Sequence, residues 1–214
     1  MIIIENVEVT GFKVAIRGMR NPMQSHDRSD SYTDNDGTYH LGINDYDLAK
    51  RLCKAGTDHR KFMRMINVTM DITAPIYMIA EIDTYKVGTV RNSCSFMHRG
   101  LSKEFELSDF STHIDDNSPD VTFSCALPSY WNETIEELNL LRKKYLETKN
   151  EKLFQQIRCY LPSGYNQKFT LQLNYEVLTN IYHSRRNHKL DEWRDFCIWI
   201  ETLPYSELIT GGNV

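Results

Sequence analysis

Arg158, in the run Arg158-Cys-Tyr-Leu161-Pro162, is followed by Asn174, Asn180 and Arg185, a set of forks and amides that could hold an anionic ligand. A guanidinium matches a phosphate or carboxylate in two-pronged fashion, and an amide both donates and accepts, so the set suggests a nucleotide site. Arg158 reads as part of a strand that leads into a helix. Between Tyr165 and Leu173, Phe169, Leu171 and Leu173 alternate with Lys168, Thr170 and Gln172, the period of a half-buried strand. From Asn174 onward Val177, Leu178, Ile181 and Tyr182 fall at helical spacing, which places Asn174 and Arg185 on one face about three turns apart. At the end of that stripe Arg185 is either a salt-bridged or snorkelling residue, the reading that pattern alone favours, or a fork aimed into a cleft.

A second group lies upstream. Thr84, Tyr85, Lys86, Arg91, Asn92, Ser93 and Arg99 surround a turn at Gly88, in keeping with a phosphate cradle or, equally, with a solvated loop. Cys94 could act as a thiolate nucleophile if Arg91 or His98 lowered its pKa, although a lone cysteine is more often a small buried apolar residue. His59 and His98 have ligating nitrogens but no metal-site spacing, so no metal is expected.

The elements that must position these groups follow from periodicity. Ile2, Ile4, Val7 and Val9 make residues 1–10 a strand, and a short helix follows from Phe12 to Met19. Arg20 to His40, rich in Ser, Asp and Asn with a turn at Asp36-Gly37, reads as a mobile or lid-like loop. Its acidic spacing fails the calcium-loop pattern, because Ile43 stands where the closing glutamate belongs. Asn44 or Asp45 can cap a helix carrying Leu48, Leu52 and Ala55, which Gly56 ends. Ile66, Val68, Met70 and Ile72 alternate as a strand, and Pro75 opens a helix through Ile79 and Ile82. After Gly100 comes a polar connection containing Pro119 and Pro128. A long helix then runs from about Tyr130 to Thr148, striped by Trp131, Ile135, Leu138, Leu141 and Tyr145. Leu190, Trp193, Cys197 and Ile200 form a core stripe, and the tail from Leu208 to Val214 reads as frayed.

With 214 residues and 41% hydrophobic content the chain can bury one core, and a single domain over 1–214 is expected. A net charge of −4 with dispersed basic residues argues against a general grip on nucleic acid, and leaves a small anion as a fitting ligand. Cys53, Cys94, Cys125, Cys159 and Cys197 are widely spread, which fits reduced thiols in cytoplasm. No apolar run reaches membrane-span length, and Met1-Ile-Ile-Ile-Glu5 meets a charge too early for a signal peptide.

Arg158-x-x-Leu161-Pro162 with Asn174, Asn180 and Arg185 resembles the C-terminal half of the flavin-dependent thymidylate synthases, without a gap. The resemblance extends from about Ala15 to Leu203 and includes Ala74-Pro75-Ile76-Tyr77 at a helix opening, and Glu192 and Arg194 in the last helix. It implies an α/β (α+β) fold, an antiparallel sheet packed with helices, in a homotetramer. It further implies Arg158, Arg185, Glu81, Lys86 and Thr89 as contacts to a deoxyuridine nucleotide, and Asn174, Asn180 and Tyr85 as contacts to FAD. The family chemistry adds a one-carbon unit to pyrimidine C5, drawing on methylenetetrahydrofolate and NADPH. The chain departs from the family at three places. The arginine-rich signature after the Ala-Pro helix keeps comparable chemistry only at Lys86 and Thr89; a flavin-contacting arginine is Glu176; and a serine near the N-terminus is Met19. A non-catalytic nucleotide-binding or interaction protein on the same scaffold is the alternative.

Overall fold

The computed structural model describes residues 2–113 and 127–211, with the side chains of residues 98, 127 and 128 excepted. Cys125, Pro119 and the chain end at 212–214 lie outside the described residues. Chain order is β1 (Ile3–Thr10), α1 (Phe12–Met19), β2 (Tyr32–Thr33), β3 (Tyr39–His40), α2 (Ile43–Lys54), β4 (Asn67–Pro75), α3 (Ile76–Ile82), β5 (Val90–Ser93), α4 (Phe96–Arg99), α5 (Leu127–Thr148), α6 (Glu151–Tyr160), β6 (Asn166–Asn174), α7 (Tyr175–Arg185), α8 (Asp191–Glu201) and α9 (Glu207–Thr210). Helices pack on an antiparallel sheet whose strands run in the order β1-β4-β6-β5, as the sequence leads one to expect.

The chain forms two compact units. The first comprises, of the described residues, 73–81, 93–113 and 127–168; α5 packs on α6, and Phe105, Phe110, Trp131, Leu138 and Ile157 form its apolar core. The second comprises residues 2–72, 82–92 and 169–211 of the described chain, with α7 packed against both α8 and α9 and α2 against α9. Strict alternation in β4 buries Val68, Met70 and Ile72, and alternation in β6 buries Phe169, Leu171 and Leu173.

Four local expectations are corrected. Arg158 sits on α6, not on a strand: Asn150 caps that helix through Lys152 N at 3.0 Å, and Leu153, Phe154 and Ile157 repeat at helical spacing before Pro162. The cap residue of α2 is Gly42; the carboxylate of Asp30 accepts from Asn44 N and Asp45 N and serves the orphan amides from outside. In place of an open loop, residues 21–40 form two short 3-10 turns and the β2-β3 hairpin, pinned by Arg20 and Asp45. The tail is helical through Thr210, because Leu208 and Ile209 are buried beside α7 and α2.

Candidate functional site

The turn between α3 and β5 and the C-terminal end of α7 bring several expected residues together in the second unit. Gly88 adopts φ +79°, and a Cβ there would come within 2.7 Å of the Asn174 amide nitrogen, so glycine lets the turn close against the start of α7. The turn presents Tyr85, Lys86 and Thr89 around an open depression of about 440 Å³, with Ile82, Asp83 and Arg91 completing its wall. Arg91 forks onto Asp83, with both contacts at 2.9 Å, and lies over the Phe169 ring. Lys86 is exposed and has no carboxylate within ion-pair distance among the described residues. The Thr89 hydroxyl is buried without a hydrogen-bond partner among the described residues, an unused polar atom at the same depression.

Arg185 is half-buried. Its Nε donates to Tyr85 Oη at 3.0 Å, its Nη1 lies 3.0 Å from His188 Nε2, and its guanidinium stacks 4.8 Å from the Trp193 ring centre. Leu190 N donates to His188 Nδ1 at 3.2 Å, which fixes the ring's orientation beside Arg185. Arg185 is therefore a fork stacked on Trp193 and bonded to Tyr85. Trp193 was legible only as a core residue, and His188 was not singled out. The signal for His188 is its place three residues after Arg185.

The remaining expected residues lie elsewhere. Arg158 is exposed on α6 with its guanidinium 4.7 Å from the Phe96 ring centre, and Glu81 is half-buried in the last turn of α3; both belong to the first unit. Asn180 is exposed on α7. Cys94 is exposed, its carbonyl accepting from Gln167 Nε2.

Of the residues assigned to FAD, Asn174 is engaged within the fold. Asn174 Oδ1 caps α7 by accepting from Val177 N at 3.1 Å, and the residue is 8% exposed. Glu176 is buried, and Arg60 of the preceding segment meets it twice, Nη2 to Oε1 at 3.2 Å and Nε to Oε2 at 2.9 Å. The second approach is an ion pair without hydrogen-bond alignment. Glu176, where the resemblance expects an arginine, and Met19, where it expects a serine, are both buried.

Solved structures supply the comparison. Thymidylate synthase X from Helicobacter pylori, with FAD and dUMP, superposes with TM-score 0.67 at 17% identity over 99% of this chain and 98% of its own. A UMP/dUMP methylase, PolB from Streptomyces cacaoi, bound with 5-bromo-dUMP, superposes with TM-score 0.64 at 14% identity over 98% of this chain and 95% of its own. The fold is that of thymidylate synthase X. No protein-family model and no curated protein matches the sequence. No helix among the described residues is long and apolar enough to cross a membrane.

Proposed function

We propose that this chain binds a uridine or deoxyuridine monophosphate at the Tyr85, Lys86, Thr89 and Arg185 cluster, on the thymidylate synthase X fold. The observation that carries the reading is the meeting of Tyr85 with both the Lys86 and Thr89 depression and the Arg185 fork. Lys86 and Arg185 supply the positive charge for a phosphate, the Thr89 hydroxyl supplies an unused donor, and the rings of Tyr85 and Trp193 offer flat surfaces. Solved proteins of this fold hold the same ligand class, dUMP and UMP. Arg158, Glu81 and Asn180 are assigned to the nucleotide or its surroundings only through the resemblance. A homotetramer in the cytoplasm belongs to the same reading, and light scattering of the purified protein tests the assembly.

The reading commits to binding rather than to flavin-dependent one-carbon transfer, because Glu176, paired with Arg60, stands where the resemblance expects a flavin-contacting arginine. Calorimetric titration with dUMP, UMP and uridine tests it. Both monophosphates should bind and uridine should bind at least about tenfold more weakly, with Lys86→Ala lowering monophosphate affinity by a similar factor. Uridine binding as tightly as UMP would sink the phosphate assignment. In parallel, FAD titration with methylenetetrahydrofolate and NADPH present should give neither a bound flavin spectrum nor methylated nucleotide; either result would restore the enzyme reading.

A further inference from the structure

On another part of the second unit, α2, α7 and α9 enclose a cavity of about 340 Å³ that shares no lining residue with the Tyr85 depression. Its size lies at the lower end of the range for small-molecule sites, about 300–1,000 Å³. That volume suits a single ring with one substituent and is too small for a dinucleotide. The apolar part of the wall is Leu208 and Ile209, both buried and carried on α9.

The lining carries three fixed cations, Lys50, Lys54 and Arg60, and one carboxylate, Glu207. Arg60 is neutralised by Glu176 behind it. Lys50 is taken by Asp47 at 2.8 Å and lies over the Tyr46 ring. Glu207 accepts from Tyr46 Oη at 2.8 Å and keeps its negative charge on the Tyr46 side of the wall. Thr179 spends its hydroxyl on the Tyr175 carbonyl. Lys54 alone of the lining cations has no carboxylate within ion-pair distance among the described residues. Cys53 brings no reactivity, because burial pushes its thiol up to about 12 and its sulfur rests 3.3 Å from Met63 Sδ. The site is therefore equipped to bind and not to react.

We propose that this cavity binds a small organic anion, a phosphate monoester or a carboxylate with a one-ring body, its charge against Lys54 and His183 and its ring against Leu208 and Ile209. His183 already registers the positive surroundings. Burial, then Arg186 and Arg60, hold its imidazole below the usual histidine range against a bond to the Ile209 backbone. An anion seated beside it reverses that bias and favours the protonated ring.

The test is titration of the full chain with phenyl phosphate, benzoate and benzyl alcohol, followed by proton NMR of the His183 ring and assigned with His183→Gln. At least one anion should saturate, raise the His183 titration midpoint, and lose about tenfold in affinity in Lys54→Met, an exposed substitution that keeps the apolar stem. Tighter binding of phenyl phosphate assigns a phosphate ester, and tighter binding of benzoate assigns a carboxylate. The proposal is overturned if benzyl alcohol binds as well as both anions, if Lys54→Met changes nothing, if no probe shifts His183, or if FAD displaces the bound anion. Because the Tyr85 depression is read by dUMP and Lys86→Ala, failure here leaves the nucleotide reading intact.

Discussion

Arg20 with Asp45 and Arg60 with Glu176 are both arginine–carboxylate pairs of the second unit, the first buried at both ends and the second with Arg60 half-buried, and their surroundings differ. Asp45 accepts from Arg20, from both the Ser29 and Ser31 hydroxyls at 2.6 Å, and from Ser31 N, while Arg20 donates onward to the carbonyls of Ser25 and Arg28. Glu176 has Arg60 and nothing else among the described contacts, and Arg60 lines a cavity. The first pair is a closed network that fastens residues 21–40 onto α2. The second is an isolated pair, one hydrogen bond and one ion-pair contact with no further partners among the described contacts.

The largest effect is expected at the network. Asp45→Ala strands Arg20, 4% exposed, together with two serine hydroxyls, and should cost about 3–5 kcal/mol in urea denaturation. Hydrogen exchange should accelerate across residues 21–40 before the rest of the unit. Burial pushes the Asp45 carboxyl up, and the bonds from Ser29, Ser31 and Arg20 more than reverse this, so its pKa is lowered overall. A depressed carboxyl gives stability present above its unfolded pKa of about 3.9, and that stability is lost as pH falls through the lower folded value.

The open pair should behave differently when both charges are removed. Glu176→Leu alone leaves Arg60 uncompensated and should cost about 2–3 kcal/mol, less than at Asp45 because Arg60 reaches the cavity. Adding Arg60→Met should return stability to within about 1 kcal/mol of the parent. The matching double replacement of Arg20 and Asp45 should not recover, since Ser29, Ser31 and two backbone carbonyls lose their partners. Equal recovery at both sites would erase the distinction between network and isolated pair.

Arg185→Ala is expected to cost about 1 kcal/mol through the lost stack on Trp193 and the lost bond to Tyr85, with a change in Trp193 fluorescence. Affinity for dUMP should fall about tenfold in the same variant. A stability loss as large as that of Asp45→Ala would make Arg185 a structural residue first.

These contrasts also explain what the amino-acid order could reveal. Strand and helix periodicity located α1 at its observed bounds and marked β4, β6, α5 and α7 closely, because burial on one face writes itself into nearby positions. The helix α6 escaped notice, although Asn150 and the Leu153, Phe154 and Ile157 spacing carried the helical signal. Residues 21–40 looked open because their bonds run to Asp45, outside the segment. At the site, Tyr85, Lys86, Thr89 and Arg185 were named from the resemblance. The pairing of Arg60 with Glu176 was not, since those residues stand 116 positions apart and no local pattern links them.

The smallest expected effect separates the pairs by their reach. His183 is held below the usual histidine range by burial first, then by Arg186 and Arg60. The unfolded chain, with a histidine pKa near 6.5, takes up the proton more readily than the folded one. The neutral ring therefore contributes stability above about pH 6.5 that is lost as pH falls through the folded value. His183 is largely exposed, so solvent screening should keep the loss to a few tenths of a kcal/mol, read as the difference between the parent and His183→Gln denaturation curves above and below that pH. The combined Arg60→Met and Glu176→Leu replacement should raise the His183 midpoint, while the combined replacement of Arg20 and Asp45 should leave it where it was, because neither contributes to the field at His183. If both replacements moved His183 alike, the open pair would have no special hold on the cavity.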